Sequence, residues 1–298
     1  MLRFSRRRFV GMCWSSIALA TLALVTVSQA ADAPKAQRIY SIGHSFHMFM
    51  PRILGEIAKS AGIDDHLQVG NSSIGGSHVI QHWDVAEDKF KSKATLTEGK
   101  LDVLTMAPIY LPDEGIENFI KLTSEKSPHV RVIVQEFWLP FDVYLDFKRS
   151  KEKAPTPNRE VYEAAKLRAD HEKYFKDIDE HVKMLNDKYM GKPTIHVAPV
   201  GQAVLALRDK IAAGEAPGLK DQTALFTDAI GHAKPPLQVL VAYCYFAEIY
   251  GRSPVGLPVP SSLKGSFNEE TTAKLNTLLQ EIAWTAVTNH PLSGVKAN

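Results

Sequence analysis

Short apolar runs that alternate with helical patterns are the feature that most constrains the fold of this chain. Five runs predict strands, at residues 38–42, 67–69, 103–106, 130–135 and 195–198. Helical periodicity predicts four main helices, at residues 50–61, 114–122, 204–213 and 237–250. Strands separated by helices indicate βαβ units, which build a mainly parallel sheet with helices on both faces. We therefore predict an α/β fold.

Composition and charge narrow the class of protein. Hydrophobic residues make up 45% and charged residues 23% of the 298 residues, an ordinary globular balance that argues against disorder, collagen or coiled coil. The formal net charge is +2, but residues 1–30 carry four arginines and no acid. The remainder has a small excess of acidic residues, which argues against a nucleic-acid-binding protein that relies on a basic field. We interpret residues 31–298 as a single domain.

Residues 1–30 have the organisation of an export signal. A basic start precedes an apolar run, and Ser28-Gln29-Ala30 supplies small residues at a cleavage site. The run is shorter than the about 20 residues of a membrane span, so we predict no stable span after cleavage. Ser5-Arg6-Arg7-Arg8 resembles a twin-arginine signal; a general secretory signal and an uncleaved anchor are the alternatives. The predicted location is periplasmic or secreted. Cys244 alone then remains, so the mature chain forms no internal disulfide.

Residues 151–192 interrupt the strand–helix alternation. They hold 10 basic and 9 acidic residues. Apolar and aromatic side chains recur every three or four positions, which predicts one stripe of a long amphipathic helix. Its expected start is Thr156-Pro157, and Gly191 and Pro193 mark its end. Two interpretations stay open, a helix packed on the sheet and a helical insertion near the active site. Length and charge favour an insertion that is peripheral to the sheet.

Three side chains have the types and the order of a nucleophile–acid–base set. Ser45 follows the first strand through Gly43-His44, where a sharp turn places a side chain at the carboxyl end of a parallel sheet. Asp228 and His232 lie four residues apart in a loop flanked by glycine and proline. A serine nucleophile needs a base, and the base needs a third group that fixes its tautomer. We therefore predict Ser45, Asp228 and His232 as catalytic residues.

These blocks resemble the SGNH/GDSL hydrolases, in particular the subgroup whose first block reads Gly-Asn-Ser-Phe or Gly-Asn-Ser-Leu. The first block here is Gly43-His44-Ser45-Phe46, and Ser73-Ile74-Gly75-Gly76-Ser77 matches the second block, which supplies an oxyanion-hole glycine. The resemblance implies backbone amides of Ser45 and Gly76 as the oxyanion hole. It also implies a three-layer α/β/α sandwich with a flavodoxin-like sheet, and cleavage of carboxylic esters such as acetyl esters of carbohydrates. The expected substrate is thus a small-molecule or glycan ester, and no cofactor is predicted.

Three departures from the family pattern leave a second function open. His44 replaces the usual Asp or Asn, and four residues, not three, separate the acid from the base. The third block of the family carries an amide side chain for the oxyanion, and residues 102–108 hold none. Either Gln135 or His44 replaces it, or the enzyme is weak, or the site no longer performs this chemistry. The alternative is a non-catalytic exported protein that binds a carbohydrate or another small molecule.

A pair of histidines and a pair of aromatic residues each have a functional and a structural interpretation. His78 and His82 have a spacing found in metal sites, but no further ligands are evident nearby, so we predict no metal. We expect His82 to pack or hydrogen-bond near the serine loop and His78 to be exposed. Trp138 and Tyr144 follow a strand and are weak candidates for stacking on a substrate; hydrophobic packing is the competing interpretation.

Overall fold

The computed structural model describes Met1, residues 35–144 and residues 156–297. Most of the predicted export signal, and residues 151–155 of the predicted insertion, lie outside the described residues. Contacts within the chain divide it into two units, Met1–Asp32 and Ala33–Asn298, and all the strands and helices given below belong to the second unit. Among the described residues, no helix combines the length and the apolar character that a membrane span requires.

A parallel five-stranded sheet forms the centre of the unit, with the order β2-β1-β3-β4-β5. Its strands are β1 Arg38–Gly43, β2 Leu67–Ser73, β3 Val103–Met106, β4 Arg131–Glu136 and β5 Ile195–Pro199. The chain moves from β1 to β2 in one direction and then returns past β1 to β3. Such a reversal leaves a crevice at the carboxyl ends of β1 and β3, where parallel sheets hold their sites.

Helices cover both faces of the sheet, which gives three layers. They are α1 Met50–Ser60, α2 Val79–Asp84, α3 Glu87–Phe90, α4 Ser92–Thr97, α5 Glu114–Lys126, α6 Ala164–Lys188, α7 Val200–Ala212, α8 Pro235–Tyr250 and α9 Glu269–Asn289. Right-handed crossovers put α1 on one face and α2 to α6 on the other. Helix α8 packs against α1 and is covered by α9. Nearly all of its side chains are therefore buried, among them the free Cys244.

The charged segment contributes the crossover helix between β4 and β5. Seven side chains of the stripe on α6 are buried, namely Leu167, His171, Tyr174, Phe175, Ile178, Val182 and Leu185. The expectation of a segment peripheral to the sheet is therefore wrong for α6, because this stripe packs against β4 and β5. The start predicted at Thr156-Pro157 is also wrong, since the helix begins at Ala164.

The predicted α/β fold is confirmed. All five predicted strands form, and the four predicted main helices lie where the periodicity placed them, with α7 beginning four residues earlier than expected. The sequence patterns did not reveal α9 or the short helices α3 and α4. Helix α9 was missed because its apolar face is interrupted by polar side chains that are themselves buried, among them Asn276 and Gln280.

Candidate active site

Ser45 lies in a tight turn between the end of β1 and the start of α1. The turn depends on Gly43, but not because of an unusual backbone angle. A Cβ atom at Gly43 would lie 2.9 Å from Cβ of His47 and 3.0 Å from Cβ of Ala107. Both of those atoms are fixed by backbone, so only glycine allows the turn to approach β3 this closely.

A buried hydrogen-bond network holds this turn on the side that faces the core. His47 Nδ1 lies 2.9 Å from Gln135 Oε1, and its Nε2 lies 3.1 Å from Thr105 Oγ1. The hydroxyl of Tyr245 also donates to Gln135 Oε1, at 3.2 Å. An amide oxygen accepts only, so the proton of the His47 ring is on Nδ1 and Nε2 accepts from Thr105. Burial lowers the pKa of His47 to about 4, which keeps the ring neutral at pH 7.

Neither residue suggested as a replacement for the family's oxyanion amide is available for that role. Gln135 is fully buried, and its Nε2 donates to the carbonyl of Phe46 at 3.4 Å. His44 is buried between the rings of Phe46 and Phe137, beside the carbonyl of Pro108. Its Nδ1 accepts from the amide of Phe46 at 3.3 Å. Both side chains hold the serine turn in place instead of facing the cleft.

The acid and the base share one short loop. Phe226 and Ala233 pair across its base, and Asp228 Oδ1 accepts from the amides of Gly231 at 2.9 Å and His232 at 3.2 Å. Gly231 has φ +106°, a conformation that favours glycine. This glycine accommodates the additional residue between acid and base, so the wider spacing leaves both side chains on the same side of the loop.

The structure brings the three predicted side chains into hydrogen-bond contact. His232 Nε2 lies 2.9 Å from Ser45 Oγ, and its Nδ1 lies 2.6 Å from Asp228 Oδ2. A carboxylate accepts only, so Nδ1 carries the proton and Nε2 accepts from the serine hydroxyl. Burial raises the pKa of the Asp228 carboxyl, but hydrogen bonds from the His232 ring and from two amides outweigh it and hold the pKa below its usual value. Ser45 and His232 are partly exposed, so a substrate can reach them.

The loop with Gly76 lies beside the serine turn. Gly43 on β1 is level with Ser73 on β2, and the amide of Ile74 donates to the carbonyl of Gly43 at 3.2 Å. Gly76 has φ +63° and open space where a Cβ would stand. Within the part of the chain that the structure describes, the amides of Ser45 and Gly76 donate to no protein acceptor. Two uncommitted amides at one edge of the sheet are suited to binding an anionic oxygen.

His82 supports the Gly76 loop, in line with the sequence interpretation. Its Nδ1 lies 2.6 Å from Ser72 Oγ and its Nε2 lies 2.7 Å from Ser77 Oγ. Both ring nitrogens are thereby engaged. The expectation that His78 is exposed is wrong, because 11% of its side chain is accessible and it faces Asp113.

Trp138 is not placed to stack on a substrate. The side chain is fully buried, lies parallel to Phe46 with ring centroids 4.5 Å apart, and donates from Nε1 to the carbonyl of Gly231 at 2.9 Å. Trp138 therefore connects the acid–base loop to the serine turn, and its assignment as a substrate-binding residue is wrong. Tyr144 is half-buried, and its hydroxyl donates to Asp177 on α6 at 2.5 Å. That hydroxyl is therefore engaged in holding the loop after β4 against α6.

One group of described side chains has the composition of a metal site. Glu136, Asp179 and His290 place ligand atoms within 4.8 Å of one another. The amide of Leu292, however, donates to His290 Nδ1 at 3.2 Å, which places the proton of the neutral ring on Nε2. That nitrogen faces Asp179 Oδ1 at 3.4 Å and Glu136 Oε2 at 4.0 Å. A protonated Nε2 is not a metal ligand, so the ring is oriented as a donor toward the two carboxyl groups.

Two solved structures resemble this chain in fold. A DUF4886 family protein from Bacteroides uniformis is 13% identical and has a TM-score of 0.54, over 86% of this chain and 96% of that one. A candidate GDSL-like lipase from Parabacteroides merdae is 16% identical and has a TM-score of 0.43, over 74% of this chain and 98% of that one. No protein-family model and no curated protein matches the chain. At 13% identity, the likeness to the DUF4886 family protein shows a shared fold and no function. At a TM-score of 0.43, the likeness to the GDSL-like lipase supports no inference about this chain.

Proposed function

We propose that the chain is a serine hydrolase that cleaves carboxylic esters. The observation that carries this proposal is the continuous chain of contacts from Ser45 Oγ through His232 to Asp228, with separations of 2.9 Å and 2.6 Å. This arrangement has a nucleophile, a base that is protonated on the correct nitrogen and an acid that holds the base.

The reaction proceeds through an acyl-enzyme. Ser45 Oγ attacks the ester carbonyl while His232 Nε2 takes its proton. The amides of Ser45 and Gly76 bind the anionic oxygen, and Asp228 stabilises the charged ring. The proton on Nε2 then passes to the departing alcohol as the C–O bond breaks. Water then attacks the acyl carbonyl while His232 Nε2 takes its proton. As the bond between the acyl carbon and Ser45 Oγ breaks, this proton returns to Oγ and the acid leaves. The resemblance to the SGNH/GDSL hydrolases makes acetylated carbohydrates the first substrates to test.

Labelling with a serine-reactive fluorophosphonate tests the proposal directly. We expect the wild type to be labelled and Ser45→Ala to be unlabelled. Ser60→Ala is a matched control, since Ser60 lies at the end of α1 and its hydroxyl donates to the carbonyl of Ile57 at 2.8 Å. Equal labelling of the wild type and Ser45→Ala would contradict the proposal.

A non-catalytic binding protein is the second candidate. It is favoured by one specific observation, the commitment of Gln135 to the serine turn, which leaves no side-chain amide for the oxyanion among the residues considered for that role. A wild-type protein that is folded, is not labelled and hydrolyses no ester, but binds acetylated sugars, would establish this function instead.

The export of the protein is part of the proposal. The supporting feature is the basic and apolar sequence that ends at Ser28-Gln29-Ala30. We expect mass spectrometry of the periplasmic or secreted protein to find a chain that begins at Ala31. A mature chain that retains Arg6-Arg7 would indicate an anchor.

A further inference from the structure

The loop that carries the acid and the base is exposed at its functional side chains. The accessible fraction is 42% for the side chain of Asp228 and 35% for that of His232. Triad chemistry depends on ring and carboxylate positions held to a fraction of an ångström. A surface loop can hold side chains this precisely only where other parts of the protein bind its backbone.

Arg159 fastens this loop. It donates from one terminal nitrogen to the carbonyl of Asp228 at 2.6 Å and from the other to the carbonyl of Ala229 at 3.1 Å. Its Nε donates to Asp142 Oδ2 at 3.2 Å. The residue is buried, and its guanidinium lies 4.1 Å from the centroid of the Phe226 ring. The planar fork of an arginine makes these three contacts together, and lysine has no equivalent geometry.

The other end of this contact makes hydrogen bonds of its own. Asp142 follows β4 in a short 3-10 helix and accepts two further bonds from Arg208, at 2.8 Å and 3.0 Å. The amide of Phe141, next to Asp142, donates to the carbonyl of Ile230 at 3.0 Å. Arg159 therefore connects the backbone of the acid to the turn that follows β4, and the Phe141–Ile230 backbone bond holds this turn against the loop independently of Arg208.

We propose that Arg159 is a positioning residue for the Asp228–His232 pair, supplied by the charged segment before α6. This inference rests on the proposed function, because it assigns Arg159 a part in the same reaction. The two bonds to backbone carbonyls set the position of the acid, and the acid sets the tautomer and orientation of His232. Arg159 itself touches neither Ser45 nor the substrate.

Arg208 provides a matched control for the test. It is buried, like Arg159, and it pairs with the same carboxylate. Its Nε donates to Gln222 Oε1 at 3.0 Å and its guanidinium lies 5.4 Å from the centroid of the Phe226 ring, but it donates to neither the Asp228 nor the Ala229 carbonyl, both of which Arg159 binds. Arg159→Lys and Arg208→Lys make the same chemical change in the same ion-pair group. Both are expected to lower the unfolding temperature, so each rate is measured well below it.

The expected result is a difference in kcat and not in stability. With p-nitrophenyl acetate, we expect Arg159→Lys to lower kcat by about 10- to 100-fold with KM little changed, and Arg208→Lys to stay within about twofold of the wild type. In an Asp228→Asn background, Arg159→Lys is expected to have almost no further effect, because the residue acts through Asp228. An equal loss of kcat in both backgrounds, or in both lysine variants, would overturn the inference.

A second measurement separates this inference from the proposed function. The Nδ1 proton of His232, held by Asp228, is expected to give a far-downfield proton NMR resonance that Arg208→Lys keeps and Arg159→Lys loses. If the wild type hydrolyses no ester but this pattern is found, the proposed function fails and the positioning role stands. If the wild type is active and Arg159→Lys keeps both the resonance and its kcat, the positioning role fails alone. Should Arg159→Lys not fold, Arg159→Gln, which retains a donor for one carbonyl, takes its place.

Discussion

Replacing Asp228 by Asn isolates the contribution of the acid to the chemistry. In the wild type, Asp228 Oδ1 accepts from the amides of Gly231 and His232, while Oδ2 lies 2.6 Å from His232 Nδ1. The amide oxygen of an asparagine can keep both backbone bonds, so the loop is expected to retain its shape. The NH₂ group then faces Nδ1, and two donors cannot share that contact. The ring must carry its proton on Nε2, where it donates to Ser45 instead of accepting from it.

Two effects of unequal size determine how far Asp228→Asn lowers kcat. The loss of the correct tautomer does not depend on solvent screening, and in a comparable triad it lowers kcat by about 10⁴-fold. Stabilisation of the charged ring contributes less here, because 42% of the Asp228 side chain is accessible and water screens it. We therefore expect Asp228→Asn to lower kcat by about 10³- to 10⁴-fold, which is roughly 4 to 5.5 kcal/mol of activation free energy.

The assay is hydrolysis of p-nitrophenyl acetate near pH 8, with Ser45→Ala as the baseline and thermal unfolding as the test of folding. Asp221→Asn is the control, since Asp221 is also an exposed loop aspartate, and its Oδ1 accepts from the amide of Thr223 at 2.9 Å. The control is expected to keep wild-type kcat. If Asp228→Asn retains more than about a tenth of wild-type kcat with an unchanged unfolding temperature, the assigned tautomer and the role of Asp228 are both wrong.

Three further outcomes are expected. Trp138→Phe keeps the ring stack but removes the indole donor to the carbonyl of Gly231, so kcat should fall by about 3- to 10-fold, and an unchanged kcat would show that the loop is held without this bond. Burial raises the pKa of the Glu136 carboxyl from 4.5 to about 8. The folded state therefore keeps a proton that the unfolded state releases, and stability from this group is lost as pH rises through that window, by up to about 1.4 kcal/mol per pH unit. Urea unfolding at pH 6 and pH 9 should show a smaller loss for Glu136→Gln than for the wild type; equal losses would contradict the assigned shift. Gly43→Ala puts a Cβ 2.9 Å from that of His47. It should lower the free energy of unfolding by about 1 to 3 kcal/mol together with kcat, whereas wild-type values for both would show that the turn can move.

The central strands β3 and β4 were predictable because they are short, mostly apolar runs. Strands buried on both faces are apolar along most of their length, and β3 and β4, in which only Arg131 is not buried, are of this kind. The charged helix α6 was harder to place, since a solvated face rich in both signs of charge is common to an insertion and to a crossover helix. Only its packing distinguishes the two, and the buried stripe on β4 and β5 is a property of the tertiary structure.

The candidate site was predictable where its chemistry is local in sequence. Ser45 follows a strand within one turn, and Asp228 and His232 belong to one loop, so residue types and spacing carried the inference. Arg159 and His47 were missed because their partners lie far along the chain. The guanidinium of Arg159 reaches a carbonyl 69 positions away, and His47 reaches Gln135 88 positions away. Contacts of this kind leave no periodicity or spacing in the sequence.

The residues after β3 determine how strongly this site can stabilise an oxyanion. The amide of Ala107 donates to the carbonyl of Ile42 at 2.9 Å, and Pro108 has no amide proton. Backbone amides of Ser45 and Gly76 are then the donors that the proposed mechanism uses, and one missing donor typically costs about 10²- to 10³-fold in rate. Such a loss is tolerable for an ester with a good leaving group and severe for an amide, whose leaving group is poorer. The same departure from the family pattern that made a binding protein a fair alternative therefore leads us to expect that the proposed esterase turns over slowly and leaves amides uncleaved.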